Sequence, residues 1–393
     1  MCRALGSRYS SGTLGQRRAS HFRAPADAKA ASLPAIGLAC TAAAGWWRGM
    51  GMSVGIVTVN WRRSELTRDC LSSVRKSAYR DVHFYIVDND SRDGSLEHLA
   101  QLGDDVTLIA NPTNAGWAGG NNAGLRRLLA DGHEFVLLLN NDALLAPDAL
   151  DALVSAHQQI MADGSGRAPV LAPIERRQGG EYGFVRGTID ASTGIPVWGT
   201  ATIDDSLREA ALLPTPYANG AALFCHRSVF EEVGLFDERF FLYYDEADWC
   251  FRAARRKHPI FSVVAAQIHH EGGATMGGAH SPLQNYFMTR NRLLFAEKHC
   301  SPRQRTALAR HYAWMARQYV GGHGRLGWPL RFLRDRDPAI VSFRYGVSDY
   351  LLRRFGDCPD IIRTLGSRHS EEAPGKATPD GPVSPDWHAG RQN

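Results

Sequence analysis

The chain has 393 residues, 44% of them hydrophobic, enough for a full core in one large domain with a smaller appendage. Its net charge of +5 is uneven: residues 1–51 carry +6, residues 301–366 carry +7 and the tail from Ser367 carries −1, leaving −7 on residues 52–300, which argues against a nucleic-acid groove in that body. The seven cysteines are scattered and never spaced Cys-x-x-Cys, so they read as free thiols of a reducing compartment, not as a zinc site, and no run of 18 apolar residues predicts a membrane span.

Residues 33–47 are Ala-rich behind Arg17, Arg18 and Arg23, as in a signal peptide. The leading region is too long for one, however, and no good cleavage site precedes the fold. Residues 1–51 are therefore expected to be a disordered or non-native extension, with Met50 or Met52 as the start. An apolar run at 54–59 then predicts a buried strand ending at Asn60, and Ser64 offers an N-cap to a helix carrying Leu66, Cys70, Leu71 and Val74. A second strand, 82–87, runs into Asp88-Asn89-Asp90-Ser91. A short helix with Leu96 and Leu99 and a third strand, 106–109, follow. Strands alternating with helices of this length predict a parallel α/β sheet covered on both faces.

Asn114-Ala-Gly-Trp-Ala-Gly-Gly-Asn-Asn122 comes next, ahead of a helix with Leu125, Leu128 and Leu129. Gly116, Gly119 and Gly120 would let the backbone approach a ligand, and the helix amino terminus beyond them would favour an anion. The spacing is not Gly-x-Gly-x-x-Gly and it follows the third strand, which fits a dinucleotide-binding dehydrogenase poorly. Phe135-Val-Leu-Leu-Leu-Asn-Asn-Asp142 reads as a central strand with a polar triplet at its carboxyl end, where ligands sit in open α/β sheets. Asn140 and Asp142 are there placed to hold a metal and, through it, a phosphate. A helix is predicted over 147–161, an irregular flap of short strands over 163–216, and a buried strand over 220–225.

The second acidic cluster, Asp245-Glu246-Ala-Asp248-Trp249, opens a helix whose far end is basic, as the helix dipole prefers. Asp245 as N-cap and Asp248 as a first-turn acid suffice for that purely structural role. Glu246 is left over, flanked by Phe240, Phe241, Tyr243, Tyr244 and Trp249; partial desolvation there would raise its pKa and suit it to take a proton. A strand over 261–268 ends at His269-His270, of which alternation allows only one to face the site. A helix over 282–298 carries Arg290, which could pair with a diphosphate.

Together these motifs resemble the family-2 glycosyltransferases of the GT-A fold, most closely the rhamnosyltransferase-like branch, over residues 54–299. The resemblance implies a GT-A-type, mostly parallel nucleotide-binding sheet flanked by helices over 52–300. It puts Thr58, Asn60, Asp88 and Asn89 at the nucleotide. Asn114, Gly116, Trp117, Gly119, Gly120 and Asn121 would lie along the sugar nucleotide, with Asn140 and Arg290 also on the donor. Gly220, Asp248 and Trp249 fall on the acceptor side. Asp142 and His270 stand where the family holds Mg²⁺ or Mn²⁺, and Asn140 replaces the first acid of the usual Asp-x-Asp, so one charged ligand is missing. Glu246 matches the family's base, with Asp245 beside it. The implied reaction is inverting transfer from a nucleoside-diphosphate sugar, rhamnose or a related hexose, to a hydroxyl of a polysaccharide or polyprenyl-linked glycan, on the cytoplasmic side.

Residues 301–366 combine twelve Arg with Trp314, Tyr319, Trp328, Phe332, Phe343, Tyr345, Tyr350 and Phe355. Two readings fit: a helical segment lying on an anionic membrane at the inner face of the plasma membrane, or helices packed on the acidic body. Residues 367–393 read as a disordered tail. Two other functions compete. A sugar nucleotidyltransferase would need a Gly-rich basic loop after the first strand, where Asn60-Trp61-Arg62-Arg63 has no glycine. A catalytically silent binding subunit would be expected to carry apolar residues at 142 and 246.

Overall fold

In the computed structural model, residues 52–164, 166–177, 182–197, 211–270, 281–319 and 328–372 are described. The expectations for residues 1–51 and 373–393 lie outside them. The chain runs β1 (Val54–Asn60), α1 (Ser64–Arg75), β2 (Val82–Asp88), α2 (Ser95–Leu99), β3 (Val106–Ala110), α3 (Gly116–Asp131), β4 (Phe135–Leu139), β5 (Ala143–Leu145) and α4 (Ala149–Ala162). It continues through β6 (Val170–Arg176), β7 (Thr188–Ile189), β8 (Pro196–Val197), β9 (Leu212–Pro214), β10 (Ala222–His226), α5 (Arg227–Val233), α6 (Asp245–Arg255) and β11 (Ile260–His270). The carboxy-terminal helices are α7 (Pro282–His299), α8 (Pro302–Tyr319), α9 (Trp328–Arg334), α10 (Pro338–Leu351) and α11 (Asp360–Glu372).

The sheet order is β3-β2-β1-β4-β10-β6-β11-β5, with β9 also paired to β11. β1, β2, β3, β4, β6 and β11 run one way, while β10, β5 and β9 oppose them. β4 shows why both faces are covered. Phe135, Leu137 and Leu139 join the layer that includes Cys70, Leu71, Leu150 and Leu153 of α1 and α4. Val136 and Leu138 join the opposite layer with Leu125, Trp249 and Leu294 of α3, α6 and α7. A five-residue apolar run thus supplies two cores by simple alternation, each fully buried side chain contributing about 1.5–3 kcal/mol.

β6 departs from the irregular flap expected over 163–216. Its first six residues are buried between β10 and β11. Pro173 hides the strand from sequence reasoning, because proline cannot donate to a ladder. Its pairing with β11 is broken at that point: Val263 pairs Pro173, Gln267 pairs Ile174, and the intervening residues bulge.

α8, α10 and α11 pack on α7, and α9 packs on α8. Phe343 sits among the rings of Tyr312, Tyr319 and Phe332, at 5.2, 5.6 and 6.1 Å. α11 buries Ile362 in a cluster with Phe287 and continues to Glu372, past the boundary expected at Ser367. None of the helices among the described residues is long and apolar enough to cross a membrane.

Candidate active site

The carboxyl ends of β1, β2, β4, β6 and β11 converge with the amino end of β10 at one edge of the sheet. Four non-glycine residues at the ends of β1 and β2 (Arg62, Arg63, Asp90 and Arg92) are left-handed there. Such conformations cost about 1–2 kcal/mol each and gather at functional sites. Because Arg62 and Arg63 are left-handed, α1 begins at Ser64, and the expected cap residue is instead the first helical one.

At the β1–β2 end, Asn60 Nδ2 donates to Asp88 Oδ1 (2.8 Å) and to Ser91 Oγ (3.1 Å), and Thr67 Oγ1 donates to Asn60 Oδ1 (2.7 Å). Thr58 is buried beside them, its side chain hydrogen-bonded with the Cys70 thiol. The structure thus gathers Thr58, Asn60 and Asp88, three of the predicted nucleotide residues.

The segment expected as a ligand loop is different. The helix already starts at Gly116, and its first amides are taken up inside the protein. Gly116 N donates to the Asn114 side chain, while Trp117 N (2.7 Å) and Ala118 N (3.3 Å) both donate to Phe241 O. No anion site forms at this helix end, because Phe241 caps it. The glycines serve packing: a Cβ on Gly116 would strike the Phe241 carbonyl, and one on Gly120 would lie 2.7 Å from Val59. Gly119 would likewise meet Ala115 at 2.6 Å. Asn89 holds Gly116 O and accepts from Asn111, and Asn121 holds Trp117 O. Trp117 does reach the cleft edge, where its Nε1 donates to Asn140 Oδ1 at 2.8 Å.

Asp142 follows β4, and Ala143 pairs with His270 in the β5–β11 ladder. His270 Nε2 lies 3.1 Å from Asp142 Oδ1, and Nδ1 lies 3.6 Å from Glu175 Oε2, an ion pair longer than a hydrogen bond. Burial opposes charge on His270, but Asp142 and Glu175 outweigh it and push its pKa up to about 10. Burial likewise opposes charge on Asp142, yet the histidine holds its carboxyl below the usual range. Glu175, at the end of β6, was missed with its strand. It is 2% exposed and accepts from Asn219 Nδ2 at 2.9 Å. Among the described residues no three His, Cys, Asp or Glu side chains converge on a metal position. Asp142 and His270 would serve a divalent cation as two ligands once the ion displaces the imidazole proton, with phosphate oxygens and water left to supply the others and Glu175 behind the histidine as an orienting carboxylate.

Asn219 leads to Glu246. Residues 219–221 touch both sides of the cleft: Asn140 N donates to Ala221 O at 2.9 Å, and a Cβ on Gly220 would lie 3.4 Å from Glu246 Cγ. Asp245 and Glu246 open α6, with left-handed Tyr244 at the cap position in place of Asp245. Burial raises the pKa of both acids. Glu246 further raises Asp245, whereas Asp245 and the backbone amides lower Glu246. The two carboxyls therefore titrate as a coupled pair, raised by burial above the ordinary carboxylate range. Asp245 Oδ1 accepts from Glu246 N at 3.2 Å, and the two side chains hydrogen-bond to each other.

Three expected residues lie elsewhere. Asp248 is buried against Arg252 (3.0 Å), Lys298 (2.6 Å) and His299 (2.7 Å), not on an acceptor surface. Trp249 is fully buried with Nε1 donating to Gly234 O. Arg290 is fully buried and donates to Gly356 O, Phe240 O and Arg239 O, so it does not face a diphosphate.

A mostly parallel sheet flanked by helices, with the Asp142–His270 pair and the desolvated Glu246 at the edge where its strands end, is a fold of the GT-A kind. Residues 53–234 match the family model for glycosyl transferase family 2. Over that stretch, a little under half of its length, the chain is similar to the family-2 glycosyltransferases. It is 29% identical to a low-salt glycan biosynthesis hexosyltransferase of Haloferax volcanii, covering 61% of this chain and 74% of that one. It is 27% identical to an N-acetylglucosaminyl-diphospho-decaprenol L-rhamnosyltransferase of Mycobacterium tuberculosis, covering 56% and 76%. The crystal structure of GalNAc-T7 with UDP, GalNAc and Mn²⁺ shares the fold, with a TM-score of 0.50 and 15% identity, over 77% of this chain and 57% of that one. The chain thus spans a little over half of that protein's length.

Proposed function

We propose that this enzyme is an inverting, metal-dependent transferase that moves rhamnose or a related hexose from a nucleoside diphosphate to a hydroxyl of a lipid-linked or polysaccharide acceptor. One observation carries the reading: the 219–221 turn joins the Asp142–His270 pair, through Glu175, to a carboxylate whose pKa burial has raised. Glu246 accepts the acceptor's hydroxyl proton, and Asp245 beside it is the other half of the same desolvated carboxyl pair. Asn60 and Asp88 hold the nucleoside, and Trp117 fixes Asn140 beside the diphosphate. A bound Mg²⁺ or Mn²⁺ supplies charge neutralisation for the leaving diphosphate, held by Asp142 and His270. The choice of sugar and of a lipid-linked acceptor is supported by the named activities of the Haloferax and Mycobacterium relatives.

A panel of nucleoside-diphosphate sugars, assayed with and without divalent metal, tests the reaction. Metal-dependent release of nucleoside diphosphate from a rhamnosyl or hexosyl donor is expected; release from none of them overturns the reading.

A lipid-linked acceptor also suits the basic carboxy-terminal region and a cytoplasmic site at the inner face of the membrane. Leu330 and Leu333 on α9 and Leu351 and Leu352 at the end of α10 are all more than half exposed, in a region of charge +7. Leucines set among arginines match an anionic lipid surface. Flotation with vesicles containing anionic lipid is expected at low salt and lost at high salt; no flotation at low salt refutes the contact.

A further inference from the structure

The chain between Arg239 and Tyr244 is the least ordinary backbone near the site. Phe241, Tyr243 and Tyr244 have φ of 65°, 67° and 70°, so three bulky aromatic residues within four positions adopt a conformation that side chains disfavour. Every carbonyl of the segment is captured. Arg290 takes Arg239 O (3.3 Å) and Phe240 O (2.9 Å). Asn291 Nδ2 takes Phe240 O, Leu242 O and Tyr243 O at 2.8, 2.7 and 3.0 Å. Phe241 O receives the amides of Trp117 and Ala118, and Tyr244 O receives Asp248 N. Arg290 Nε also donates to Asn291 Oδ1 at 3.0 Å, which fixes the amide so that its nitrogen faces the three carbonyls. Both residues are fully buried.

We propose that Asn291, oriented by Arg290, is a positioning residue that holds this left-handed turn and thereby sets the catalytic pair that follows it against the donor wall. The turn has two outlets. Its end is the first turn of α6, with Asp245 and Glu246. Its Phe241 carbonyl caps α3, whose Trp117 grips Asn140 two residues from Asp142. One clamp therefore spaces the base and the donor-side strand end relative to each other. Arg290 and Asn291 act from inside the protein and touch neither substrate.

The inference rests on Glu246 being the base, and its test separates the two ideas. Asn291→Ala removes the donor from three carbonyls. Amide hydrogen exchange at Trp117 and Ala118 is expected to quicken, and kcat to fall about 10²-fold, the scale of a small misplacement of a reacting group. As the turn loosens, water reaches Glu246, which is otherwise faced by Asp245, Tyr217, Tyr243, Tyr244 and Cys250. The acid limb of the rate profile should then move to lower pH. Adding Tyr243→Gly to the same chain lets position 243 hold its φ without the clamp, and is expected to recover a large part of the lost kcat.

A folded Asn291→Ala with unchanged exchange and unchanged kcat overturns the proposal. So does a loss of kcat with an unmoved acid limb and no recovery from Tyr243→Gly, the pattern of plain packing damage. If Asn291→Ala does not fold, Arg290→Lys frees the Asn291 amide while keeping the charge, and the same shifts in smaller measure are expected; their absence counts against the clamp. Should Glu246→Gln stay active, the base reading falls alone. Exchange at Trp117 and Ala118 then decides the clamp, quickened exchange upholding it and unchanged exchange refuting it.

Discussion

Glu246→Gln lowers kcat by at least about 10²-fold while nucleoside-diphosphate binding stays near that of the parent. General-base assistance contributes about 10²–10⁴ in rate, and the amide keeps the shape of the carboxyl without its basicity. Nucleotide binding should survive because Asn60 and Asp88 lie at the ends of β1 and β2, apart from the start of α6. The pH dependence gives an independent sign. Burial raises the pKa of Glu246, and a base must be ionised to accept a proton. Activity therefore falls as pH drops through a pKa above the ordinary carboxylate range, and that acid limb disappears in Glu246→Gln. Asp245→Asn should cost less, since the amide keeps the shape of the carboxyl and its Oδ1 still accepts from Glu246 N. A loss below about tenfold at 246 would pass the role to Asp245 or to neither.

The strand ends were legible because a buried parallel strand announces itself twice, by an unbroken apolar run and by the polar residues that stop it. Residues 54–60, 82–88 and 135–142 all do so, and the residues that halt them, Asn60, Asp88 and Asp142, are those the fold brings to one edge. Glu175 was hidden for the converse reason. Its strand contains Pro173, which fits only because β11 bulges opposite it, and nothing local records a bulge in a strand some ninety residues away.

Side chains that serve the backbone were misread as ligand-facing. Asn, Gly and Arg have the same chemistry whether they meet a phosphate or a peptide carbonyl. Gly116 and Gly120 admit Phe241 and Val59 where a ligand was expected, and the guanidinium of Arg290 meets carbonyls of the turn instead of a diphosphate. Which partner wins depends on whether a distant segment folds against that side chain. The left-handed turn at 240–244, without a single glycine, gave no local sign of its shape. Asp248 was expected toward the acceptor for the same reason, and three basic side chains meet it instead.

Asp142→Ala abolishes the response of turnover to added divalent metal. The reasoning turns on ligand count. Asn140 has an amide where a second acid would serve, and its Oδ1 already accepts from Trp117, so Asp142 is the one carboxylate at this strand end. Removing it leaves His270 alone, and a single imidazole does not hold Mg²⁺ or Mn²⁺ against water. Metal binding can be read directly, by calorimetry with Mn²⁺ and nucleoside diphosphate and no acceptor, so that a loss of chemistry is not mistaken for a loss of the ion. Glu175→Gln gives the graded version: Asp142 and His270 remain, the carboxylate behind the imidazole goes, and Mn²⁺ affinity should drop about 10–100-fold. Metal titration curves that coincide for the parent and Asp142→Ala would place the cation elsewhere and leave the Asp142–His270 contact as a plain ion pair.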